Sequence, residues 1–294
     1  VTVSLVALFL VVASSLGWSA FDVLRKVLVQ RVEPLPLLFA LTLGQVPLFA
    51  VWTVLRPEAV GPGYWLPAGA SVALNIVVNV AFLLAMKWSP LHRTIPLLSL
   101  IPALTTVLAI PLLGEVPGIR QWTGIVLVVF GALLLHLTSW KGLPELFSSL
   151  VREKGSLLML LVVAGWSLTL PLDKLALRAA GVPFHGLVLT VGVSTGILGV
   201  MALRRETGQV RDLGRVPRLA ALAVVVSTLA LALQLLAMKM VFVSLVETLK
   251  RGIGNLMALV WGRFLLRETV RRHSVVAVVL MILGVSLILW PAHR

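Results

Sequence analysis

The sequence predicts an all-α integral membrane protein, with ten transmembrane helices arranged as two inverted five-helix repeats. Three observations carry that expectation. Of the 294 residues, 59% are hydrophobic and only 12% charged, with a mean hydropathy of +1.05, whereas a soluble domain carries about 25% charge. Several apolar runs reach the ~20 residues a helix needs to cross the hydrocarbon core, and the strand-type alternation of a membrane barrel is missing. Finally, the short motifs of the first half recur in order in the second.

Cutting at charges, glycines and prolines yields ten spans. The first, about Ser4 to Leu24, lacks the basic leading region of a signal peptide and continues toward a full span, so it reads as a transmembrane helix. Then come about Leu37 to Leu55, Trp65 to Met86, Ile95 to Leu113 and Ile119 to Leu137. The fourth span contains Pro96, Pro102 and Pro111, each removing a backbone donor, and a bend is expected there. A polar stretch from Thr138 to Gly155 reads as an interfacial linker. The remaining spans are about Ser156 to Leu177, Phe184 to Leu203, Leu219 to Met240, Val243 to Leu266 and Ser274 to Trp290. The organisation is therefore 1–137 as first repeat, 138–155 as linker and 156–294 as second repeat.

The repeat rests on ordered matches. Gly17-Trp18-Ser19 recurs as Gly165-Trp166-Ser167, and Lys26 recurs as Lys174 at the same offset of 148 residues. Ala85-Met86-Lys87 recurs as Ala237-Met238-Lys239, Glu115 as Glu268, and Gly131-Ala132 meets Gly284-Val285. Five is odd, so the second copy enters the membrane from the opposite side, the inverted arrangement of many secondary transporters.

The formal charge of +14 does not point to nucleic acid, because most Lys and Arg lie between apolar runs, as in membrane-protein loops. Loops after the odd-numbered spans hold most of them, and the positive-inside rule then places both termini outside. With no cysteine, disulfides, thiolate metal sites and a cysteine nucleophile are excluded. The five histidines show no paired ligand spacing, and there is no HExxH, P-loop or dinucleotide glycine run. No enzyme activity, metal or cofactor is expected, and transport must draw on a gradient or on exchange. Glu247, Asp22 and His92 are the possible proton carriers.

The ninth span supplies the main candidate site. Glu247, Lys250, Arg251, Gly254 and Asn255 are spaced to share one face of a helix, and ionised groups at membrane depth usually mark a pathway or a binding site. Two adjacent cations partly offset by one carboxylate attract an anion, which a guanidinium grips with paired hydrogen bonds; an internal ion pair is the alternative use of the same residues. Lys26 and Lys174 hold equivalent places near the ends of their helices, with Asp22 and Asp173 as possible counter-charges; Asp22, four residues before Lys26, faces the same way as its lysine, whereas Asp173, adjacent to Lys174, does not. Asn75 and Asn79 share a face of the third span, Gln234 lies in the eighth, and Trp18 and Trp166 are internal. His92 and Arg93 precede the fourth span. Gly192 and Gly196 form a small-xxx-small pair of the kind that packs helices closely.

The Gly-Trp-Ser element with its downstream lysine in each half, and the Gly-Glu or Arg-Glu pair closing the fourth helix of each, resemble the drug/metabolite transporter superfamily, nearest its EamA-type ten-helix branch. The resemblance covers almost the whole chain. It implies a carrier whose cavity is bounded by the first, third, fourth, sixth, eighth and ninth helices, and, for most members, termini in the cytoplasm, opposite to the loop charge. Lys250-Arg251 also looks like the Lys-Arg pair by which phosphate-translocating members hold a phosphate. Those members add a fourth-helix lysine where this chain has Leu97 and Leu98. The expected function is secondary transport of a small organic, anionic or zwitterionic metabolite by alternating access in the cell (inner) membrane; the alternative is a flippase for a phosphate-headed lipid such as a polyprenyl-phosphate sugar. Partners are the substrate and membrane lipids, not nucleic acid.

Overall fold

The computed structural model describes residues 4–88, 95–136, 154–205, 216–265 and 272–289, and among these described residues it holds ten α-helices and one 3-10 helix. The helices are α1 (Leu5–Leu28), α2 (Pro34–Leu55), α3 (Trp65–Trp88), α4 (Ile101–Leu113), α5 (Ile119–His136), α6 (Lys154–Leu177), α7 (Val182–Arg204), α8 (Pro217–Met240), α9 (Val243–Leu265) and α10 (Arg272–Leu289). Their ends follow local chemistry. Ser4 caps α1 by accepting the Ala7 N–H at 3.2 Å, Pro34 and Pro217 stand in the first turns of α2 and α8 where no amide partner is missed, and Gly114 closes α4 in the left-handed conformation at φ 72°. The fourth span, where a bend is expected, divides into a 3-10 helix, Ile95–Leu100, and α4, which has Pro102 in its first turn.

Six helices, α1, α2, α3, α6, α7 and α8, are long and apolar enough to span a membrane; α4, α5 and α10 contain shorter apolar stretches, and α9 interrupts its length with charge. Large apolar side chains cover the outside, Leu66 and Ile119 being more than four-fifths exposed, a surface suited to lipid and not to water.

Packing repeats the sequence symmetry. The contact between α3 and α6 has its counterpart between α8 and α1, that between α4 and α6 in α9 and α1, and that between α3 and α7 in α8 and α2. The glycines show why. A Cβ on Gly17 would lie 3.0 Å from the Ala230 Cβ of α8, and one on Gly165 would lie 2.2 Å from Val78 of α3. Gly17 and Gly165 are repeat equivalents, and Val78 and Ala230 share the offset of Ala85 and Ala237. At the α5–α10 contact Gly131 faces Ala277 and Met281, while its equivalent Gly284 faces Gly124 and Val128. Small residues thus let backbones approach at symmetry-related places, where packing must replace the hydrophobic drive that lipid removes. Gly192 and Gly196 seat Val72 and Ile76 of α3 in the same manner.

Candidate functional site

One turn into α9, Glu247 has no exposed surface and lies between two cations of its own helix. Lys250 Nζ pairs with Oε2, and Arg251 Nε donates to Oε1 at 2.8 Å, as spacings of three and four residues allow. A buried carboxylate needs such partners to remain ionised. The three groups sum to one positive charge, and the Lys250 and Arg251 side chains keep 19% and 27% of their surface open. Lys250 lies about 10 Å along α9 at 1.5 Å per residue. Gln234 of α8 is buried with Oε1 3.5 Å from Lys250 Nζ, and Asn255 is half-buried one turn beyond Arg251.

A second group of charges joins the repeats at the end of the bundle formed by the connections 56–64, 114–118, 178–181 and 241–242. Lys174 Nζ lies 2.5 Å from Glu115 Oε1 and donates to the Val241 carbonyl at 2.7 Å. Glu115 Oε2 accepts the Val243 N–H at the start of α9 at 2.8 Å, where the helix dipole favours a carboxylate. Arg178 donates to the Leu113 carbonyl at 3.0 Å, and the Gly61 N–H to the Ala179 carbonyl at 2.7 Å. A cleft of about 390 Å³ opens at this end, bordered by Glu58, Gly61, Arg178, Ala180 and Lys239.

A third group is wholly internal. Ser71 of α3 donates to Asp173 Oδ1 of α6, His185 Nε2 of α7 lies 3.3 Å from that oxygen, and the Tyr64 hydroxyl is 3.1 Å from His185 Nδ1. Burial, and next the Asp173 carboxylate, push the Tyr64 phenol above its ordinary range.

The other candidates fall as follows. Lys26 is exposed, and its expected counter-charge Asp22 is instead paired with Arg25 at 2.8 Å, a spacing of three residues that also places the two on one face of the helix. Lys174 likewise takes Glu115 and not Asp173, whose carboxylate points to α3 and α7. Asn75 and Asn79, both half-buried, donate to carbonyls of their own helix, those of Ser71 at 3.0 Å and Asn75 at 2.7 Å. Trp18 packs edge-on against Phe21 with ring centroids 5.7 Å apart, and its buried Nε1 has no hydrogen-bond partner among the described residues. Trp166 lies 5.3 Å from Phe82 in an apolar cluster that also takes Leu97 and Leu98. His92, Arg93 and Glu268 lie outside the described residues. Tyr64, Ser71 and His185 escaped sequence reasoning, since no periodicity joins a loop residue to two helices more than a hundred positions apart.

Two inverted five-helix repeats closing on buried charge define a multi-pass membrane protein of transporter architecture. The chain belongs to the EamA-like transporter family, which it matches over residues 5–137 and 153–290, one match to each repeat. A solved crystal structure is similar in fold, with a TM-score of 0.72 over 96% of this chain and 95% of its own at 16% identity. No curated protein matches the chain.

Proposed function

We propose that this protein is a secondary-active transporter that moves a small organic anion or zwitterion across the cell (inner) membrane by alternating access. The observation that carries the reading is the ion triad of α9. Glu247 cancels one cation and leaves the other in a setting where an unmatched charge is expensive, so the triad favours an anionic visitor. Among the described residues the Arg251 guanidinium is engaged only through Nε, which leaves its paired terminal donors for a carboxylate or phosphate. The amides of Gln234, Asn75, Asn79 and Asn255 offer neutral partners for the rest of such a molecule. Alternating access is supported by the links between repeats at one end, Lys174 to Glu115, Arg178 to Leu113 and Gly61 to Ala179, which must part for that end to open.

A thermal-shift screen of the purified protein against amino acids, phosphorylated sugars and polyprenyl phosphates tests the reading. Saturation at a hundred times Kd stabilises a folded protein by about 2.7 kcal/mol, and that shift should vanish in Arg251→Leu. Stabilisation by polyprenyl phosphates alone would favour the lipid flippase, and stabilisation that survives Arg251→Leu would remove the triad from the site.

A further inference from the structure

Gly254 of α9 has no packing reason to be glycine. Glycine is the least favourable helix residue after proline, and elsewhere in the bundle it stands where a neighbour comes close: a Cβ on Gly252 would lie 3.0 Å from Val285, and one on Gly44 would lie 2.6 Å from Val224. A Cβ on Gly254 would meet nothing within 4 Å. Gly69 and Gly199 share that freedom, but both are exposed, whereas Gly254 is half-buried. Small residues in membrane helices ordinarily bring backbones together; at Gly254 no backbone approaches.

The open space lies on the charged face of α9. Gly254 follows Glu247 by seven residues, Lys250 by four and Arg251 by three, spacings that stack these positions on one side of a helix. Both cations reach back along α9 to Glu247, which leaves the turn beyond them bare. The face is turned inward, since Glu247 has no exposed surface and Gln234 of α8 stands 3.5 Å from Lys250 Nζ. Asn255, half-buried and next along the helix, is the nearest amide in sequence. The triad sums to one positive charge, which is weakly screened in a low-dielectric setting. A cation is repelled from such a space and an anion is drawn to it.

We propose that the gap at Gly254 is the subsite for the body of an organic anion whose head is held by Arg251. The missing side chain lets the ligand lie against the backbone of α9 one turn beyond the guanidinium, and residue 254 thereby sets how large that body can be. Gly254 is then a size-selecting position of the carrier proposed above. The subsite rests on that reading for its purpose, but its test needs no substrate.

The chain has no cysteine, so Gly254→Cys carries a single thiol. In lipid nanodiscs its rate of modification is measured with an anionic reagent, sulfonatoethyl methanethiosulfonate, and with the cationic trimethylammonioethyl analogue, each rate being divided by that for a free thiol in solution. The sulfonatoethyl group is itself a short organic anion, so its attachment reports whether one fits over residue 254. We expect it to react several-fold faster than the cation, and the preference to disappear when Arg251→Leu is added, which leaves Glu247 and Lys250 to cancel. Reaction no faster than at Val77→Cys, an exposed position near the middle of α3, would mean that the space is closed to water and overturns the subsite. Equal rates for the two reagents, or a preference unchanged by Arg251→Leu, also overturn it. Should Gly254→Cys fail to fold, Asn255→Cys carries the same comparison. Gly254→Ala should melt at or above the wild-type temperature, and a lower melting temperature would mean that the position is packed, which overturns the subsite too. Charge-selective modification without any ligand stabilisation would sink the carrier reading alone, and ligand stabilisation with an unreactive Gly254→Cys would sink the subsite alone.

Discussion

Lys174 Nζ stands 2.5 Å from Glu115 Oε1, and the other oxygen of that carboxylate accepts the first amide of α9. One ion pair therefore fastens the end of α6 to the end of α4 and to the start of α9, across the boundary between repeats. Both side chains are largely buried, so each charge depends on the other.

Removing one partner strands the other in low dielectric. Lys174→Met should lower stability by on the order of 3 kcal/mol, seen as a fall in the melting temperature in detergent, and Glu115→Gln should do likewise. The double variant should recover much of the loss, because no bare charge remains; additive losses would mean that the pair is not coupled.

Arg251 and Lys250 share one carboxylate, which makes their variants informative. Arg251→Leu leaves Glu247 neutralised by Lys250, so the protein should insert and fold while substrate flux in proteoliposomes is lost. Arg251→Lys keeps the charge without the planar fork and should retain a small part of the flux. Wild-type flux in Arg251→Leu would remove this residue from the binding site.

Tyr64 is the only tyrosine in the chain, so its ionisation can be followed by ultraviolet absorbance without ambiguity. Its phenol is held above the ordinary range by burial and by Asp173, and the tyrosinate band should emerge well above pH ~10 in the folded protein but near that value once it is unfolded. The sign follows directly: above pH ~10 the unfolded chain gives up the proton and the folded one retains it, so stability declines as the pH rises further. A native titration at the ordinary value would mean that Tyr64 faces water.

The helix contacts predict an uneven response to alanine. Gly165→Ala and Gly186→Ala would drive a Cβ to 2.2 Å from Val78 and from the Phe49 ring, which should cost about 1–3 kcal/mol by overpacking. Gly69→Ala, with open space around its Cβ, should be neutral or slightly stabilising because alanine is the better helix former. Thermal unfolding of the three variants checks the ranking.

Much of the architecture was legible in the sequence because lipid imposes length and apolarity on every span and duplication imposes order. The expected end of the first span, Leu24, fell a turn short of Leu28, since cutting at charge discards Arg25 and Lys26, which the helix simply carries outward to its exposed last turn. The polar stripe of α9 was legible for the same reason that its ions pair: three- and four-residue spacings are local. What pairs across the bundle was not. Lys174 looked like the twin of Lys26, and only the fold shows that Glu115 holds it; the link from Tyr64 through His185 to Asp173 crosses three elements and leaves no mark on any periodicity.

The unequal fortunes of Lys26 and Lys174 bear on the second conformation of the carrier. Related by the repeat, one lysine is exposed and the other is locked, so the two halves are chemically alike but differently engaged. Exchanging the conformations of the halves describes an opposite-facing state in which Lys26 is drawn in and Lys174 released. Thiol-reagent accessibility of Lys26→Cys and Lys174→Cys should then run in opposition, each becoming reactive as the other is shielded.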